Sequence, residues 1–120
     1  MEEPGYIINL KTITLANGYS LDFEYPILET VIADNVIIIV LDIPFEINYN
    51  RNIFAISASG DFLWRVSETE VFGCGLESNS CVYISAIIND DGELVLFNWC
   101  STAVIVDPQT GDILRKYQTK

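Results

Sequence analysis

Hydrophobic and polar positions alternate with period two along most of the chain, and no segment sustains a helical period. The pattern opens in YIINLKTITLANGYSLDFEY, residues 6–25. Two β-rich runs there flank Asn17-Gly18, the strongest short-range hairpin signal, because both residue types accept the positive φ of a type I′ turn. On the return strand Tyr19, Leu21, Phe23 and Tyr25 take one face, and Ser20, Asp22 and Glu24 take the other. The hairpin is therefore expected to bury one face and leave the other wet and acidic. Its outgoing strand changes phase between Leu10 and Ile13, which predicts a bulge or a bend. After Pro26, PILETVIA is a further strand candidate, and Asp34-Asn35 turns the chain into VIIIVL, Val36 to Leu41. An apolar run of β-branched residues fits a central strand covered on both faces.

The polar loop DIPFEINYNRN leads to a hairpin with the sequence NIFAISASGDFLWRV. A second long polar connection, SETEVFGCGLESNS, precedes the apolar run CVYISAII. A turn at Asn89-Asp90-Asp91-Gly92, the strand ELVLFNW and a final hairpin from Thr102 to about Tyr117 complete the chain. Nine or ten strands joined by short turns predict an all-β fold, an antiparallel meander, in one domain spanning residues 1–120.

The two later hairpins repeat one plan. Phe54 aligns with Val104, Ile56 with Val106 and Ser57 with Asp107; after one inserted residue Gly60 aligns with Gly111, Leu63 with Leu114 and Trp64 with Arg115. Ala58-Ser59-Gly60 suits a type I turn closed by a left-handed glycine, and Asp107 to Gly111 suits a four-residue loop with proline at its first position. Each hairpin follows an apolar strand, so each unit has the size of a propeller blade. VIVDPQTGDILRK, Val104 to Lys116, together with IFAISASGDFLWR, Ile53 to Arg65, resembles the blade repeat of quinoprotein-type (PQQ-like) β-propellers. The resemblance covers Val36 to Val66 and Glu93 to Tyr117. It implies a meander of two blade-like units plus the N-terminal hairpin. Two blades do not close a ring, so the family's quinone cofactor, its metal and its catalysis do not carry over. The layout also resembles that of small bacterial proteins of one domain, a likeness to which no activity attaches.

Charge narrows the partners. Seventeen acidic residues against six basic ones leave a net charge of −11. That disfavours nucleic acid and anionic membrane surfaces, and it suits a basic protein partner whose approach the field would steer. It also serves solubility and keeps β edges apart. No apolar run approaches the ~18 residues of a membrane span. The acidic start MEEPGY lacks the features of a secretory signal, which leads to the expectation of a cytoplasmic protein. In that setting Cys74, Cys81 and Cys100 are expected to be free, buried or incidental thiols, since an odd count with this spacing makes neither a disulfide framework nor a zinc site.

Chemistry-bearing motifs are scarce. The chain has no histidine, hence no histidine-based triad and no histidine metal ligand. Asn89-Asp90-Asp91-Gly92-Glu93 lacks the spacing of a calcium loop. No catalytic, cofactor-binding or metal-binding residue is nominated, and no cofactor is expected. The aromatics remain, with Trp64 and Trp99 either packed at sheet corners or displayed on a binding face. The loops Asp42 to Asn52 and Ser67 to Ser80 are the places to look for contacts. The expected function is a non-catalytic, acidic protein-interaction module, in a specific form an immunity or antitoxin-like protein. The alternative is a small-ligand binder or divergent enzyme with a cleft between the two blade-like sheets. A dimer formed by the C-terminal strand Ile113 to Tyr117 lying beside the acidic first hairpin is a further expectation, with a monomer closed within one chain as its counterpart.

Overall fold

Three antiparallel meanders follow one another along the chain. The computed structural model describes residues 5–44, 47, 49–67 and 82–119. The first sheet holds β1 (Tyr6–Asn9), β2 (Thr12–Leu15) and β3 (Ser20–Asp22) in the order β1-β2-β3. The second holds β4 (Ile27–Ala33), β5 (Val36–Leu41), β6 (Ile53–Ser57) and β7 (Phe62–Arg65) in the order β4-β5-β6-β7. The third holds β8 (Tyr83–Ile88), β9 (Leu94–Asn98), β10 (Thr102–Val106) and β11 (Ile113–Gln118), again in chain order. The fold is all-β, with no helix among the described residues.

The described residues form eleven strands rather than nine or ten, because the phase change after Leu10 is a tight turn. Asn9 pairs with Thr12 directly across Leu10-Lys11, and Leu10 takes a φ of 56°. The Asn17-Gly18 turn also departs from expectation. Gly18 has a φ of 90°, but Asn17 does not share a positive φ, and the Leu15 amide reaches the Tyr19 carbonyl across a three-residue loop. One left-handed residue closes this loop, where a type I′ turn needs two. The type I′ geometry falls instead at Asp34-Asn35, with φ of 54° and 65° between the paired Ala33 and Val36. Ala58-Ser59-Gly60 and Asp90-Asp91-Gly92 repeat the three-residue closure, and Asp107 to Asp112 encloses the four-residue loop read from its sequence.

The second sheet is the middle layer. All six residues of β5 are buried, as an uninterrupted apolar strand requires. Ile38 and Val40 face the third sheet and pack with Ala55, Trp64, Leu96 and Val104. Ile37, Ile39 and Leu41 face the first sheet and meet Ile13 and Leu15. Each buried isoleucine or leucine contributes roughly 1.5–3 kcal/mol of transfer free energy, so this strand anchors both interfaces.

Polar ties fix the sheets against one another. The Asn52 side chain is fully buried and donates to the carbonyls of Leu41 (2.9 Å) and Tyr83 (2.8 Å), while its Oδ1 accepts from the Tyr83 amide (2.8 Å). Glu29 on β4 accepts from the Ala86 amide of β8 at 3.0 Å and from the Ser85 hydroxyl at 3.3 Å. At the turn end of the third sheet, Trp64 Nε1 donates to the Pro108 carbonyl at 2.8 Å, and the indole lies flat against Gly111. Tyr19 of the first sheet packs in the same manner on Gly60 in the turn of the second.

The two hairpins aligned in the sequence take corresponding places in their sheets. β6–β7 and β10–β11 are the last two strands of their respective sheets. Their ladders shift register at aligned positions, Ala55/Ile56 and Ile105/Val106. β11, however, is an edge strand paired with β10, and it does not lie beside the first hairpin of its own chain. The expectation of free thiols also fails where it can be read: Cys100 is buried and disulfide-bonded. Its neighbourhood is tightly built, with Asn98 Oδ1 accepting from the amides of Cys100 (2.9 Å) and Thr102 (3.3 Å). Cys74 and Cys81 lie outside the described residues.

Candidate functional site

Among the described residues the first sheet has three strands where the second has four. Sheets that stack face to face cover one another strand by strand, so the shorter layer leaves part of the longer one open. The open part is the face of β6 and β7 turned towards the first sheet. Strand alternation puts Phe54 and Ile56 of β6 on that face, and their ladder partners Arg65 and Phe62 join them from β7. Phe62 is 63% exposed, an unusual state for a phenylalanine in the middle of a layered protein.

The result is a groove of about 410 Å³ between two walls. Leu21, Asp22, Phe23 and Glu24 form one wall, at β3 and just beyond it. Phe62 and Arg65 form the other, with Phe54 and Ile56 on the floor and Tyr49 at the side. The rings interlock: Phe23 and Phe54 lie 5.3 Å apart in a tilted arrangement, and Tyr25 meets Tyr49 edge-on at 4.9 Å. The Arg65 guanidinium sits 4.8 Å from the Phe54 ring centre and 5.1 Å from that of Tyr49. Its Nε donates to the Arg51 carbonyl at 2.7 Å. Contacts of this kind are worth ~0.5–2 kcal/mol each and hold the cation in one place.

Two carboxylates stand on the opposite wall. Asp22 accepts a hydrogen bond from the Thr12 hydroxyl at 2.5 Å, and Glu24 accepts one from Tyr49 Oη at 3.3 Å. The Tyr49 hydroxyl is held above its ordinary pKa, chiefly by burial and also by the Glu24 carboxylate, against the opposing pull of Arg65. It therefore stays protonated and donates. The groove thus offers an aromatic floor, an acidic wall and one clamped arginine. These groups can sort a ligand by shape and charge.

Other sequence candidates sit elsewhere. Trp64 is a core residue at the interface of the second and third sheets, whereas Trp99 is 61% exposed. Neither lines the groove. Asn89 to Glu93 forms a hairpin turn in which Asn89 Oδ1 accepts from the Asp91 and Glu93 amides. Of the two loops, the first supplies Tyr49 to the groove; residues 68–81 of the second lie outside the described residues. Among the described residues no cluster of three metal-ligating side chains occurs, and no helix is long and apolar enough to cross a membrane. Between the two four-stranded sheets, where the alternative reading places a cleft, the described residues pack the apolar cluster that includes Ile38, Val40, Trp64, Leu96 and Val104.

Sequence reading missed the convergence of Phe23, Phe54, Phe62 and Arg65. One signal was there to use. The N-terminal unit is shorter than the two repeats that follow, and Phe62 and Arg65 belong to the strand such a unit would leave bare.

Fold and groove together define an all-β protein of stacked meanders with an aromatic-lined groove beside the exposed Phe62. Residues 8–118 match the family described as Domain of unknown function (DUF7957), and the chain belongs to that family. None of the curated proteins matches it.

Proposed function

We propose that the protein is a non-catalytic, acidic binding module whose recognition element is the groove over β6 and β7, and that its partner is a basic protein. The observation that carries this reading is the groove itself, where the exposed Phe62 ring and the half-buried Phe54 lie across from the β3 segment that carries Asp22 and Glu24. Buried aromatic anchors with charged neighbours supply most of the affinity in protein interfaces, and the net charge of −11 would speed the approach of a cationic partner. An immunity or antitoxin-like role is the specific form of this proposal. Likeness to quinoprotein-type blades enters on the same footing: the equivalent placement of the two hairpins supports it, and it extends to fold alone. Small-ligand binding is the second reading, favoured by the groove's volume and by the presence of both charge signs on its walls.

The test is comparative capture from a native lysate with the wild type, Phe62→Asp in the groove and Leu114→Asp on the exposed face of β11. Basic proteins held by the wild type and Leu114→Asp but lost from Phe62→Asp are the expected result. Equal retention by all three would remove the groove from the account. Retention of a small molecule but no protein would favour the second reading.

A further inference from the structure

We propose that the groove takes an extended segment of the partner, alternating apolar and basic residues, which joins the first sheet as its fourth strand beside β3. This rests on the groove being the recognition site and adds the mode of binding and the chemistry of the ligand.

The backbone phase of β3 supplies the first argument. The Tyr19 carbonyl accepts from the Leu15 amide, and the Phe23 amide donates to the Lys11 carbonyl, so the odd residues turn their main-chain groups towards β2. Ser20 and Asp22, between them, turn theirs away from β2. β3 is the edge of its sheet among the described residues, so these groups face the open side of the groove. An incoming strand pairs with such an edge through main-chain hydrogen bonds, while alternate side chains read the surface beneath.

Alternation then dictates composition. Residues of the newcomer opposite Leu21 point inward, onto Ile56 and Phe62, and must be apolar. Residues opposite Asp22 point outward beside its carboxylate, with Glu24 next along the chain, and are best basic. Arg65 stands on the β7 wall, which confines positive side chains to the β3 side. The second sheet has a fourth strand where the first has three among the described residues, so the newcomer would match the two layers strand for strand.

The experiment follows amide shifts of isotope-labelled full-length protein during titration with a short acetylated peptide of alternating leucine and lysine. Three comparisons accompany it: the same peptide with glutamate for lysine, an analogue N-methylated at every residue whose amide would face β3, and benzylammonium as a side-chain-sized probe. The lysine peptide is expected to shift β3 and β7 and to slow exchange of the Ser20 and Asp22 amides. The methylated analogue should bind at least about tenfold more weakly, since it lacks the pairing donors. Phe62→Asp, at an exposed position, should lose at least as much while keeping the wild-type spectral dispersion.

Equal binding of the methylated analogue would overturn strand addition while leaving the groove as a side-chain site. Equal binding of the glutamate peptide would overturn the basic composition. If benzylammonium shifts Phe54 and Phe62 and no peptide does, strand addition fails and the groove reading stands; if neither probe shifts them, both fail. Doubling of the mass in sedimentation, with the groove closed to peptide, would make a second copy the occupant and overturn the proposal.

Discussion

Replacing Asn52 with alanine is the most informative test of how the second and third sheets are joined. Its side chain is the only amide that bridges Leu41 and Tyr83 among the described residues, and it makes three hydrogen bonds of 2.8–2.9 Å at zero exposure. Truncation leaves the Tyr83 amide and two carbonyls without that partner and opens a small void. An orphaned buried polar group costs ~1–3 kcal/mol, and partial relaxation reduces the sum, so the expected loss is about 3–5 kcal/mol. A chain of this length has a total stability of roughly 6–18 kcal/mol, which makes the loss large but survivable. In thermal melts it corresponds to a drop of roughly 10–20 °C. Asn52→Leu, which fills the volume without the hydrogen bonds, should cost nearly as much as alanine, because the orphaned groups rather than the void dominate. Asn52→Asp should be worst, because a carboxylate would face two carbonyl oxygens at hydrogen-bonding distance. The assay is urea denaturation of all three variants, with amide exchange at Tyr83 as the local readout. A leucine variant within about 1 kcal/mol of wild type would refute the reasoning and reassign the joint to apolar packing.

Tyr83 gives a prediction of opposite sign. Burial raises its pKa to about 12, and Asn98, whose Oδ1 is committed to two amides, leaves the hydroxyl without a well-aligned partner. Tyr83→Phe should therefore be neutral or stabilising by up to ~1 kcal/mol. Because the folded pKa lies above the unfolded value of 10, its contribution is fully present below pH 10 and is lost as pH rises towards 12. The alkaline loss, on the order of 2–3 kcal/mol, should be absent from the phenylalanine variant in pH-dependent urea melts. Gly111→Ala should cost about 2–4 kcal/mol, since it combines a φ of 78° with a Cβ placed 2.5 Å from Trp64, while Gly18→Ala meets only open space and should cost about 1 kcal/mol. Calorimetry of the pair separates backbone strain from the clash. Thiol titration of the unreduced, denatured protein should find one reactive thiol of three cysteines, rising to three after reduction; three before reduction would remove the Cys100 disulfide.

The strands and their order were legible in the sequence because they are local or nearly so. Period-two alternation, the six-residue apolar run of β5 and the glycine-closed turns each act over a few residues, and a meander needs only neighbours to pair. The aligned glycines were readable too: Gly60 and Gly111 both take a positive φ, although one closes a three-residue loop and the other a four-residue loop. Turn type at Asn17-Gly18 was not, because one or two left-handed residues satisfy the same dipeptide and the register of the pair decides between them. The pairing of Cys100 was equally out of reach, since a disulfide depends on which cysteines the fold brings together. The groove belongs wholly to the tertiary structure. Phe54 and Phe62 lie in a hairpin whose counterpart in the third sheet pairs a fully buried β10 with a largely exposed β11, so the local pattern does not say which face is covered. Phe62 is left exposed and Phe54 half-buried because the layer above them has one strand fewer among the described residues, and that difference is felt only when sheets are stacked.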